Sequence, residues 1–112
     1  MALEIILSPR NIQGQYSVTH RVPNALSGHV QIATEIDPAD VVDPTKTMKL
    51  DIYRSDDNVE WRYWMGFTWQ GGPGVQSPFI GTYNVAELQN KYLRLDLDIP
   101  SRIRIGLKLG NP

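Results

Sequence analysis

Two runs of strict alternation, joined by a short polar segment, constrain this chain more than any other feature. Met48, Leu50 and Ile52 interleave with Lys49, Asp51 and Tyr53, and Trp61, Tyr63, Met65 and Phe67 interleave with Arg62, Trp64 and Gly66. A period of two sorts the apolar side chains onto one face of an extended strand and the polar ones onto the other. Between the runs, Ser55-Asp56-Asp57-Asn58 is turn chemistry. Ser and Asp side chains bond nearby backbone amides, and Asn tolerates the left-handed region. The two arms therefore predict an antiparallel hairpin. Core-side residues must face core-side residues across such a pair. A register of Ile52 with Trp61, Leu50 with Tyr63 and Met48 with Met65 satisfies this around a four-residue loop. The same register sets Asp51 opposite Arg62 and Lys49 opposite Trp64 on the outward face.

The C-terminal stretch carries the same signal. Leu93, Leu95, Leu97 and Ile99 alternate with Arg94, Asp96 and Asp98, and Ile103, Ile105, Leu107 and Leu109 alternate with Arg104, Gly106 and Lys108. With Pro100-Ser101-Arg102 as a loop, these predict a second hairpin in which Asp98 faces Arg104. Weaker alternation marks strands at Leu3–Leu7, Gln15–His20, Val30–Ile36 and Phe79–Tyr83. Asn84-Val85-Ala86-Glu87 has a capping residue followed by a carboxylate three positions on, which predicts one or two helical turns near 84–90. Short strands with one apolar face each must pack those faces together. The expected fold is all-β: a single antiparallel β-sandwich, jelly-roll or immunoglobulin-like, forming one domain over residues 1–112. Its core would include Leu50, Ile52, Trp61, Tyr63, Met65, Leu93, Leu95, Leu97, Ile103, Ile105 and Leu107. Eight prolines and nine glycines, spread along the chain, argue against a helical bundle. With no cysteine, no disulfide or thiolate chemistry is available.

Chemistry is harder to find. The formal charge of -1 supplies no field for nucleic acid or an anionic membrane. Met1-Ala2-Leu3-Glu4 opens into a strand-like run with no basic and no long apolar segment, so neither a signal peptide nor a membrane span is expected. His20 and His29, the two histidines, lack metal-ligand spacing. Asp37, Asp40 and Asp43, and the Ser55–Asn58 loop with Glu60, lack the calcium-loop spacing, and turn aspartates more often bond their own backbone. No nucleophile–base pair stands out, so the chain reads as a non-enzyme with no cofactor and no metal.

The segment Tyr53–Trp61 resembles the S-x-D-G-x-x-W hairpin of many β-sandwich modules, with Asn58 in the place of glycine, and Lys91-Tyr92-Leu93-Arg94-Leu95 resembles the R-Y-V-R-L strand that follows it. Two groups share that pairing: small β-sandwich structural proteins of tailed-phage particles, of the capsid-decoration or tail type, and discoidin-like carbohydrate- and lipid-binding modules. Discoidin-like modules are generally longer, exported and often disulfide-linked, which favours the phage resemblance. It implies a virion structural protein made in the host cytoplasm, working through protein–protein contacts with other virion proteins and as a homo-oligomer, with no nucleic-acid or membrane partner. The discoidin-like resemblance implies instead a carbohydrate-binding module, with a glycan as ligand. Both would use exposed aromatic rings. The candidate interface or ligand-binding residues are Trp64 with Tyr53, Lys49, Asp51 and Arg62 on the outward hairpin face, extended by Trp69 beside the Gly71–Gly74 loop.

Overall fold

The computed structural model describes residues 3–22, 29–37, 43–71, 80–88 and 91–110, and in it the C-terminal alternation forms one strand rather than a hairpin. That strand, β6 (Tyr92–Gly110), is 19 residues long. Its odd-numbered side chains Leu93, Leu95, Leu97, Ile99, Ile103, Ile105, Leu107 and Leu109 are all buried. The step from Ile99 to Ile103 is even, so parity survives and the chain runs on without turning back. Pro100-Ser101-Arg102 is a bulge: on the neighbouring strand Ile12 faces Ile103 and Gly14 faces Ile99, leaving three residues of β6 opposite Gln13 alone. Gly14 sits there at φ 83°, a conformation that side-chain-bearing residues avoid. Bulges bend and twist a strand, and this one lies at the midpoint of the longest strand pair. The predicted facing of Asp98 and Arg104 is replaced by Asp98 with Lys49 and Arg104 with Asn11.

The neighbour of β6 is β1 (Leu3–Arg21), antiparallel along its whole length. The two weak N-terminal signals, expected as separate strands, are thus one strand, with register shifts around Leu7 and Pro9 between them. On the other side of β6, β3 (Thr47–Ser55) runs beside Tyr92–Asp98 and β2 (His29–Ile36) beside Ile105–Gly110. Outside them lie β4 (Arg62–Gln70) and β5 (Ile80–Asn84), giving the order β4-β3-β6-β2-β5. The fold is all-β and antiparallel, as expected, and its strands hydrogen-bond into one curled sheet. The two halves of that sheet share one apolar core, from Ile6 and Ile12 through Met48, Leu50 and Ile52 to Leu109. The outermost strands meet: Trp64 of β4 packs on Tyr83 of β5 at 4.6 Å between ring centroids, and the Tyr83 hydroxyl donates to Met65 Sδ at 2.9 Å. The expected helical turn is α1 (Val85–Leu88), whose first turn is capped by Asn84 Oδ1 accepting from the Ala86 amide at 2.9 Å. No helix among the described residues is long and apolar enough to cross a membrane.

The central hairpin exists, but its register differs from the expected one. Ile52 faces Met65, Leu50 faces Phe67 and Met48 faces Trp69. The core-side parity is kept over this part, while the pairing slides by four residues because the loop is longer. Asp57 Oδ1 accepts from the amides of Val59 at 2.9 Å and Glu60 at 3.0 Å, and Ser55 Oγ accepts from the Asn58 amide at 2.9 Å and donates to Asp57 at 2.9 Å. Asn58 takes the left-handed conformation, φ 62°, as its residue type allows. This network holds residues 56–61 out of the ladder. A bulge then follows: Ile52 faces Met65 but Tyr53 faces Tyr63, so Trp64 is an extra residue in β4. The extra residue reverses the parity of everything before it in that strand. Tyr63, expected in the core, is 60% exposed, and Trp61, expected opposite Ile52, lies at the half-buried end of the loop. Met65 and Phe67 are half-buried against the core.

Candidate functional site

The outward face of the β1-β6-β3-β4 half is built in rows by the registers. One row reads Thr19, Arg94, Tyr53, Tyr63; the next Ser17, Asp96, Asp51, Gly66; the third Gln15, Asp98, Lys49, Thr68. The first row is aromatic and cationic. The Arg94 guanidinium lies 4.3 Å from the Tyr53 ring centroid and 5.3 Å from that of Trp61, and Tyr53 meets Tyr63 edge-on at 5.5 Å. Each such contact contributes about 0.5–1 kcal/mol at an exposed site. Together they order four large side chains at the surface without burying them in the core.

The second row explains where Tyr63 lies. Gly66 has no side chain, and a Cβ there would stand 2.5 Å from both the Tyr63 hydroxyl and Asp51 Oδ1. The phenol end of Tyr63 therefore rests over the backbone of Gly66, next to the Asp51 carboxylate. Asp51 faces Asp96 directly across the β3–β6 pair, an arrangement of like charges that is unfavourable by itself. It is offset by the Arg94 guanidinium, 3.5 Å from Asp96, and by the Ser17 hydroxyl donating to the same carboxylate. Lys49 stands opposite Asp98 in the third row. Between Gln15, Ser17, Lys49, Asp51, Asp96 and Asp98 runs a groove of about 540 Å³. It is polar, open and bordered by the aromatic row.

The structure separates the residues singled out from sequence. Tyr53, Lys49 and Asp51 do share the outward face, as the alternation required. Trp64, the bulge residue, is turned away from them: Tyr83 covers one side, and the Arg54 guanidinium sits 5.0 Å from its ring centroid. Its exposure is met by cover from the same chain. Trp69, 46% exposed, lies at the far end of β4 opposite Met48. Arg62 lies at the loop end of the hairpin, facing Arg54 and close enough to Asp56 to help hold that carboxyl below its ordinary range. The principal cause of that shift is the Lys91 ammonium, which pairs with Asp56. Asp57 is also held below its ordinary range, first by the Glu60 amide and then by that of Val59. Burial pushes the Tyr83 hydroxyl up to about 12, with Glu87 adding to the effect.

The alternation places Tyr63 and Trp61 in the core, where the structure puts Tyr63 at the surface and Trp61 at the half-buried end of the loop. Arg94 is outward in both, but its contacts with the Tyr53 and Trp61 rings are not legible from spacing. The bulge at Trp64 leaves no cue in the alternation, because Trp61, Tyr63, Met65 and Phe67 keep one apolar parity straight through it. Asp43 bonds the amide and hydroxyl of Thr45, at 2.9 and 2.7 Å, in the way expected of a turn aspartate. Asp40 lies outside the described residues, as does the 72–74 part of the glycine loop. Among the described residues no three acidic or histidine side chains are grouped to hold a metal ion. No family model and no curated protein matches this chain.

Proposed function

We propose that this chain is a non-enzymatic structural protein of a tailed-phage particle, a capsid-decoration or tail component that works through protein–protein contact at the outward face of β3, β4 and β6. The observation that carries the reading is the surface cluster of Arg94, Tyr53 and Tyr63 from the first row with Trp61 against Arg94. Trp, Tyr and Arg are the residue types that dominate the binding energy of protein interfaces. Here they are locked to one another by ring and guanidinium contacts, so their ordering cost is met before any partner arrives. The resemblance of Tyr53–Trp61 and Lys91–Leu95 to phage-particle modules supplies the class of partner. The test is mass spectrometry of particles purified from host cells in which the gene and its neighbours are expressed. The protein is expected in the particle fraction in stoichiometric amount; its absence from particles, with the protein left free in the lysate, would overturn the reading.

A second reading, a carbohydrate-binding module, is favoured by one specific observation: the exposed Tyr63 ring lies beside a groove lined by the carboxylates of Asp51, Asp96 and Asp98 and by Lys49 and Gln15. A pyranose stacks its apolar face on such a ring while charged and amide groups bond its hydroxyls. A glycan array separates the two. Retention of a neutral glycan that is lost in Asp51→Ala supports the module; no retention leaves the face to a protein partner.

A further inference from the structure

β1 is an edge strand along its whole length: among the described residues, no strand pairs with the side of it turned away from β6. Its two halves treat that edge differently. From Leu3 to Gln13 the strand carries three register shifts and Pro9, the devices that keep a strand edge from recruiting another strand. From Gly14 to Arg21 it pairs with Ile99–Tyr92 residue for residue, with no shift and no proline. This half is Gly-Gln-Tyr-Ser-Val-Thr-His-Arg, rich in strand-forming residues and carrying one formal charge at its end. Tyr16 and Val18 face the core but are only half-buried, because no strand lies beyond them to finish their cover.

We infer that the Gly14–Arg21 edge pairs with the same edge of a second copy of this chain, antiparallel about a two-fold axis through Val18. The occupant is argued from self-complementarity. Centred on Val18, the pairing sets Val18 against Val18 of the second copy, Tyr16 against His20, Ser17 against Thr19 and Gln15 against Arg21. Core-side residues then meet core-side residues, Ser meets Thr in a favoured cross-strand pair, and no like charges face each other. The join extends two curled sheets into one and places both outward aromatic rows on a single surface. It holds whatever that surface binds, so loss of self-pairing with retained particle docking, or the reverse, tells the two proposals apart.

The absence of cysteine makes the geometry directly testable. At the two-fold axis, Val18→Cys brings two Cα atoms to about 4.5–5.5 Å, inside disulfide reach. Thr19→Cys leaves its two copies diagonal, about 7–8 Å apart, and outside it. Under mild oxidation V18C is expected to cross-link to a covalent dimer in high yield, and T19C to remain largely monomeric on a denaturing gel. The companion measurement is sedimentation of Ser17→Lys/Thr19→Lys, which sets lysines opposite lysines on the exposed face while leaving the core untouched. It is expected to sediment as a monomer where the unaltered chain sediments as a dimer, with an unchanged β-sheet circular dichroism spectrum. An unaltered chain that stays monomeric at high micromolar concentration, equal cross-linking of the two cysteine variants, or a dimer indifferent to the paired lysines would overturn the inference.

Discussion

β6 and β4 both alternate strictly in sequence, yet the alternation means different things in the two. In β6 the apolar positions are aliphatic, most of them flanked on both sides by neighbouring strands, and each from Leu93 to Leu109 is buried. In β4 the apolar positions are mostly aromatic, the strand lies at the end of the sheet, and Trp64, Met65 and Phe67 press on the core while remaining only half-buried. A central strand has no freedom in this respect, since a slip of one residue would turn its whole apolar set to water. An edge strand has a neighbour on one side only, so a bulge at Trp64 can reverse its parity at small cost and put Tyr63 outside. Alternation fixes the face of a strand pinned on both sides, and at an edge it holds only where no bulge intervenes, as in Gly14–Arg21 of β1 but not across Trp64.

The largest expected effect is in β6. Leu95→Ala removes a fully buried side chain at the centre of the sheet and is expected to cost about 2–5 kcal/mol, read as a lower urea midpoint with an unchanged slope. Trp61→Ala should cost far less, about 1 kcal/mol, because it loses a contact with Arg94 and not a place in the core. A loss as large as that of Leu95→Ala would return Trp61 to the interior and erase the contrast.

Acid sharpens the same comparison. The amides of Glu60 and Val59 hold the folded-state carboxyl of Asp57 below its ordinary range. A depressed carboxyl stabilises the fold above its unfolded-state value, and that contribution is lost as pH falls through the folded-state value. The protection of the Val59 and Glu60 amides, measured relative to the slower intrinsic exchange in acid, should therefore fall as pH is lowered while that of the β6 amides is kept. Simultaneous loss at both places would mean that loop and core open as one unit.

Gly66→Ala is expected to be smaller still, within about 0.5 kcal/mol, since the groups a methyl would meet are the free ends of Asp51 and Tyr63, which can move. Its readout is Tyr63 itself. The ring must leave its position over the backbone, which chemical shifts of the Tyr53 and Tyr63 ring protons will register. Unchanged shifts would place the phenol elsewhere.

The sequence was most legible where local rules and tertiary context agree. The core positions of β3 and β6, the Asn84 cap, the left-handed Asn58 and the outward placement of Lys49, Asp51 and Tyr53 follow from residue type and period alone. Two things did not. Pro100-Ser101-Arg102 has the composition of a turn, and only the even spacing of Ile99 and Ile103 distinguishes a bulge in one long strand from a loop between two. The register of the central hairpin depended on how far Asp57 and Ser55 extend the loop, which hydrogen bonding decides and spacing does not. The outward aromatic row is hidden by the bulge at Trp64, since unbroken alternation carries the parity of Met65 and Phe67 back to Tyr63 and Trp61 and makes them core residues.

The most direct test of the contrast between the two strands is co-sedimentation of Tyr63→Ala with particles that lack the protein, under conditions where the variant is fully folded. Tyr63 is 60% exposed, so its removal should leave the unfolding free energy within about 1 kcal/mol of the unaltered chain. The account predicts a folded variant that stays in the supernatant while the unaltered chain pellets with the particles. A variant that pellets as well as the unaltered chain, or one that fails to fold, would contradict it.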